Sequence, residues 1–112
     1  MENRPLAEVK AELFKALGHP ARVRILEVLV EGEHTVSELQ PRVGIESSHL
    51  SQQLGVLRRA GLVTARREGA SVHYAPRDPL VADLLAVARQ LLLRTLGETR
   101  DLHAALAAEL PR

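Results

Sequence analysis

The chain has no cysteine and no tryptophan, and only one phenylalanine, one tyrosine and one methionine among 112 residues. Without cysteine, disulfides, structural cysteine–zinc sites and thiol redox sensing are excluded. Aromatic residues make up 2% of the chain against 46% apolar residues overall. The core must therefore be built from Leu, Val and Ala, a helix-biased set. Long apolar runs are lacking too. The longest, residues 80–93, is broken by Asp83, Arg89 and Gln90, so no membrane segment is expected. The N-terminal MENRPLAEVK carries no apolar signal region, and a cytoplasmic location is expected. Lysine is scarce, with Lys10 and Lys15 alone, and no Ser/His/Asp or paired-carboxylate arrangement is evident. An enzyme is not expected.

The formal net charge of +1 discriminates little, but its distribution does. Residues 1–46 hold six Lys/Arg against eight Asp/Glu, a net of −2. Residues 47–77 hold five Arg against one Glu, a net of +4, and residues 78–112 hold four Arg against five acids, a net of −1. Positive charge is thus concentrated in one central segment.

The length suits a single domain spanning 1–112, with no repeat and no linker. A first helix is expected over about 6–17, with Leu6, Val9, Leu13, Phe14 and Leu17 on one face and Gly18 as its stop. His19-Pro20 opens a second, with Pro20 where a missing N–H costs nothing. That helix should run to about Glu31 and end at Gly32. A third, Val36–Val43, ends at Gly44, with Thr35 or Ser37 as its cap. A fourth starts near Ser47, which can cap it.

In the fourth helix Leu50, Leu54 and Leu57 fall at i, i+4, i+7, so one face buries. The opposite face carries Ser48, Gln52, Gly55 and Arg59, flanked by His49, Ser51 and Gln53. Two helices joined by the short turn Gly44-Ile45-Glu46 form a helix-turn-helix. Small hydroxyls and amides on the exposed face of its second helix suit base edges in a major groove. After Gly61 the period becomes two. Val63, Ala65, Val72 and Tyr74 alternate with Thr64, Arg66, Ser71 and His73, a β-hairpin turning at Gly69. Its tip, read as Arg66-Arg67-Glu68-Gly69, is placed to reach phosphates or a minor groove. Edge protection by charge is the alternative.

Asp78-Pro79 starts a long helix with Leu80, Leu84, Val87, Leu91 and Leu92 in one stripe. Gly97 and Glu98 mark a break, and residues 99–110 place Leu102, Leu106 and Leu110 at helical spacing. The two ends of the chain offer more apolar surface than so small a core can cover. The surplus predicts a homodimer interface built from helices 6–17 and 79–110, centred on Leu6, Val9, Leu13, Leu84, Val87 and Leu91.

Three segments, FKALGHPARVRILEVL, TVSELQPRVGIESSHLSQQLGVLRRAGLV and RREGASVHYAP, in this order and spacing, resemble the ArsR/SmtB family of winged-helix repressors. The resemblance covers roughly residues 6–93. It implies a mainly α fold: four helices, a small β-hairpin wing and a fifth helix, dimeric through the first and fifth. The fourth helix would read DNA, and a ligand or metal would release the operator. The family's cysteine-based metal site falls here on Thr35-Val36-Ser37-Glu38-Leu39, with Thr35 in the thiol position. Its other common site opens the fifth helix with Asp-x-His. Here that opening is Asp78-Pro79-Leu80, and the later ligand positions fall near Leu91 and Arg94. Neither metal site is expected, and no cofactor is expected.

Five histidines remain. His19 suits a capping or packing role, and His34 lies in a loop. His49 and His73 are placed to contact DNA. Asp101 and His103 have metal-like spacing, but on a helix i and i+2 point about 200° apart.

The expected function is a sequence-specific, dimeric, DNA-binding transcriptional repressor. Ser47, Ser48, His49, Ser51, Gln52 and Gln53 would meet bases or nearby phosphates. One or both of Arg58 and Arg59 would contact backbone, and Arg66, Arg67, Ser71 and His73 would anchor the wing. The partners are an operator duplex, a second copy and an unidentified small-molecule or protein effector. The alternative is a winged-helix protein-interaction module without specific DNA binding.

Overall fold

The structure, a computed structural model, describes residues 5–96 and 100–109. The elements run α1 (Leu6–Leu17), α2 (Pro20–Leu29), β1 (His34–Thr35), α3 (Val36–Val43), α4 (Ser47–Arg59), β2 (Val63–Glu68), β3 (Ser71–Pro76), α5 (Leu80–Thr95) and α6 (Arg100–Ala108). The chain divides into two units, residues 1–81 and residues 82–112.

The first unit is organised around α2. Ile25, Leu26, Val28 and Leu29 are all buried, and the helix packs on α3 and α4. Leu39 of α3 and Leu50, Leu54 and Leu57 of α4 close the other side of the same core. Each fully buried side chain of this kind contributes roughly 1.5–3 kcal/mol relative to an exposed one. With almost no aromatic residues, the core is an aliphatic cluster, as composition requires.

Local chemistry sets the helix ends. The imidazole Nδ1 of His19 accepts from the Ala21 N–H at 3.1 Å, and Pro20 occupies the first turn, where no N–H is needed. Helix α2 stops at Leu29, two residues before the expected end, because Glu31 and Gly32 bond back to the Val28 and Leu29 carbonyls in a tightening turn. Thr35, rather than Ser37, caps α3 through a full capping box. Its hydroxyl accepts from the Glu38 N–H at 3.2 Å while the Glu38 carboxylate accepts from the Thr35 N–H at 2.8 Å. Gly44 leaves α3 at φ 83°, a left-handed position that glycine takes without strain.

The expected cap of α4 differs. Glu46 is the flanking residue and makes no side-chain cap bond, so Ser47 is already helical. Its hydroxyl instead donates to Gln40 Oε1 at 3.0 Å, tying the start of α4 to the end of α3. That bond spans the turn and helps fix the angle at which α4 leaves the core.

The sheet has three strands in the order β1-β3-β2, all antiparallel. The third strand was not expected. His34, read as a loop residue, pairs with Tyr74, and Thr35 with His73. Two residues are too short a stretch to show alternation, which is why β1 left no mark in the sequence. The hairpin tip is also narrower than expected. Arg66 and Arg67 lie within β2, opposite His73 and Val72, and the turn is Gly69-Ala70 with Gly69 at φ 61°.

Helix α5 begins where the Asp78 carboxylate accepts from the Leu80 N–H at 2.8 Å. In the second unit the apolar stripe of α5 is largely bare: Val87, Leu91 and Leu92 are exposed. The bend expected at Gly97 and Glu98 lies outside the described residues, as do the side chains of Asp101 and His103. Among the described residues no helix is long and apolar enough to cross a membrane.

Candidate nucleic-acid interface

Burial sorts the residues of α4. Leu50, Leu54 and Leu57 are buried, while Ser47, Ser48, His49, Ser51, Gln52, Arg58 and Arg59 are exposed. Seven of the expected contact residues on this helix are thus available to a partner. Gln53 is not, being only 6% exposed. This corrects the expectation of an outward amide. Its Oε1 accepts from Arg22 Nη1 at 2.9 Å, and its Nε2 lies 3.1 Å from His49 Nε2. Gln53 is one residue from Leu54, so it falls on the border of the buried stripe, and Arg22 of α2 makes burial affordable by satisfying the amide oxygen.

Gly55 is also settled by geometry. A Cβ there would approach Arg59 Nη1 at 3.2 Å, and the three nearest atoms all belong to the Arg59 guanidinium. The glycine leaves room for the Arg59 side chain to fold along its own helix.

The wing presents two arginines with different surroundings. Arg66 is ion-paired to both Glu33 and Glu68. These hydrogen bonds, Glu68 first and Glu33 second, raise its pKa, and Arg66 in turn lowers that of Glu68. His73 Nδ1 lies 3.6 Å from the same Glu33 carboxylate. Cross-strand pairing explains the cluster: Arg66 faces His73 and Glu68 faces Ser71 on one side of the hairpin. Arg67 points to the other side, is exposed, and has no ion pair among the described residues. Glu33, in the turn before β1, had no sequence signal as a wing partner, because its reach depends on where β1 pairs.

Thr35 and Asp78, where the family resemblance would set metal ligands, are engaged within the chain itself. Thr35 engages the Glu38 main chain and carboxylate, and Asp78 is the acceptor that starts α5. No group of three or more His, Asp or Glu is placed to hold a metal among the described residues.

Comparison with known proteins meets this geometry. A sequence model described as "Helix-turn-helix domain" matches residues 17–66. An HTH-type transcriptional regulator of Mycobacterium tuberculosis is 59% identical over 99 residues, covering 88% of this chain and 87% of that protein. The chain belongs to the ArsR/SmtB family of winged helix-turn-helix transcriptional regulators. The crystal structure of the M. tuberculosis protein superposes with a TM-score of 0.81 at 57% identity, over 87% of this chain and 98% of that one. A biofilm growth-associated repressor of Xylella fastidiosa is 44% identical over 85 residues, covering 76% of this chain and 73% of its own. The solution structure of a homodimeric winged helix-turn-helix DNA-binding domain from Mycobacterium bovis aligns with a TM-score of 0.76 at 30% identity, over 88% and 95% of the two chains. The family and the fold are those of transcriptional regulators rather than enzymes.

Proposed function

We propose that this ArsR/SmtB family member is a cytoplasmic, dimeric repressor that binds a two-fold operator through α4 and the wing. The observation that carries the reading is the division of α4: a buried leucine stripe on one side, and exposed Ser48, Ser51, Gln52 and His49 on the other. Such a face suits base edges in a major groove. Arg58, Arg59 and Arg67 supply phosphate contacts beside it, with Ser47 and Ser71 close to the backbone path. Arg66 and His73 orient the wing through Glu33 rather than binding phosphate first. Gln53 drops out of the contact set.

The dimer is built from α1 and α5. Leu6, 74% exposed, with Val9 and Phe14 on α1, and Val87 and Leu91, 65% exposed, on α5 are large apolar side chains left to solvent. Leu13 and Leu84 are half-buried beside them. Large apolar side chains left exposed on each of these helices mark an interface. The M. bovis domain is homodimeric, which supports a dimer here as well. The release signal is a small molecule or a protein rather than a metal, because Thr35 and Leu80 stand where metal ligands would be needed.

Fluorescence anisotropy on a duplex from upstream of the protein's own gene tests the reading. Tight binding that resists competitor DNA, and that zinc or nickel leaves unchanged, is the expected result. Release by either metal overturns the non-metal input. Failure to bind that duplex, followed by failure to enrich any sequence from a random pool, overturns specific DNA binding and favours a protein-interaction module.

A further inference from the structure

A chain of hydrogen bonds runs from the end of α1 to the exposed face of α4. Arg22 Nε donates to the Ala16 carbonyl at 2.6 Å, and Nη2 donates to the Lys15 carbonyl at 3.2 Å. Its Nη1 donates to Gln53 Oε1 at 2.9 Å. Gln53 Nε2 then lies 3.1 Å from His49 Nε2. Arginine has no acceptor, so the amide oxygen must face it and the amide NH2 must face His49. An amide nitrogen cannot accept. His49 Nε2 therefore accepts, and the ring proton of the neutral imidazole sits on Nδ1. Gln53 cannot rotate out of this arrangement, because a flip would set its NH2 against the guanidinium while it stays buried.

We propose that Arg22 and Gln53 are positioning residues that hold His49 in the Nδ1–H tautomer, so that His49 offers DNA a hydrogen-bond donor and not an acceptor. The proposal rests on the DNA-binding reading above. It assigns the imidazole a specificity role: it selects an acceptor on the duplex, either a purine N7 or carbonyl oxygen at a base edge or a phosphate oxygen. His19 flanks the ring edge-on, with centroids 6.4 Å apart and planes at 84°, which restricts how far His49 can swing.

Two readouts test this, and they fail separately. Long-range nitrogen–proton NMR on the full-length protein, at alkaline pH, reads the tautomer without DNA. We expect a protonated Nδ1 and a bare Nε2 on His49. Gln53→Glu keeps an acceptor for Arg22 but gives His49 an acceptor in place of a donor, so the proton should move to Nε2. Gln53→Leu should leave a mixture of tautomers. A protonated Nε2 in the wild-type protein, or a tautomer unmoved by Gln53→Glu, overturns the relay.

The second readout is affinity across duplexes carrying single base-pair changes in the sequence that the wild type selects. If the donor meets a base edge, Gln53→Glu should shift preference at one position by about tenfold. If it meets a phosphate, all duplexes should weaken alike. An unchanged panel in a variant whose tautomer has moved overturns the specificity role. A wild-type protein that selects no sequence removes the DNA reading itself, while the NMR result still decides the relay. Arg22→Lys guards against misfolding as an explanation: it retains a cation but replaces the three-nitrogen fork with a single ammonium, and should give the same loss in weaker form.

Discussion

The wing arginines make opposite predictions for the salt dependence of DNA binding. Arg67 is exposed with no carboxylate beside it among the described residues, whereas Arg66 is clasped by Glu33 and Glu68. Each phosphate contact adds about 0.9 to the slope of log affinity against log salt. Raising salt fourfold, from about 50 to about 200 mM, therefore costs roughly 3.5-fold per contact. Arg67→Ala should lower the slope by about 0.9 on specific and random duplexes alike. The double variant Glu33→Gln, Glu68→Gln leaves the Arg66 cation without its two partners and should raise the slope by a similar amount. Arg66→Ala removes a charge already neutralised locally, so its slope should stay close to wild type. The assay is anisotropy on one operator duplex and one random duplex across that salt range. If Arg66→Ala lowered the slope as much as Arg67→Ala, and the double variant left it unchanged, Arg66 would already exchange its carboxylates for phosphate on binding. The distinction between the two arginines would then be wrong.

Other perturbations test the scaffold. Leu54→Ala removes a fully buried side chain and should cost about 3 kcal/mol, read by denaturant unfolding. Gly55→Ala should stabilise α4 by up to about 1 kcal/mol, because the nearest atoms belong to the flexible end of Arg59; a lower melting temperature would mean the guanidinium cannot yield. Hydrogen bonds centred on the Thr35 main chain lower the pKa of Glu38 below its ordinary 4.5. A depressed carboxylate contributes stability that is present above the unfolded value and is lost as pH falls through the folded one. Acid should therefore weaken the fold below about pH 4.5 through this site, and Glu38→Gln should flatten that part of the stability–pH curve. Leu91→Glu places a charge on the exposed apolar stripe of α5 and should shift sedimentation from dimer to monomer while the helical content stays unchanged.

Most of this architecture is legible in the chain because it depends on local periodicity and on punctuation. Leu50, Leu54 and Leu57 announce a buried helix face, and Gly44 and Pro20 mark boundaries whose backbone chemistry few residues satisfy. The switch from a helical period to a period of two after Gly61 locates the hairpin with its correct faces. What escaped was non-local. Strand β1 is two residues long, and nothing in His34-Thr35 reports that β3 will lie beside it.

The same limit shaped the reading of the candidate site. Ser48, Ser51 and Gln52 were placed on an exposed face by angular position alone, and the structure exposes them. Gln53 sits at the edge of that arc, where 100° per residue leaves either side open. What turned it inward was Arg22, 31 residues away, whose guanidinium can satisfy a buried amide oxygen. Arg66 followed the same logic, since its nearest acidic residue in sequence, Glu68, was visible but Glu33 was not. Polar residues on a recognition helix are therefore ambiguous in a particular way. A glutamine or arginine there serves DNA only if no distant partner has already claimed its donors and acceptors, and that inventory exists only once the fold has brought the partners together. Seen this way, Gln53 has not left the interface. It acts one atom behind it, setting which nitrogen of His49 carries the proton that the duplex would meet.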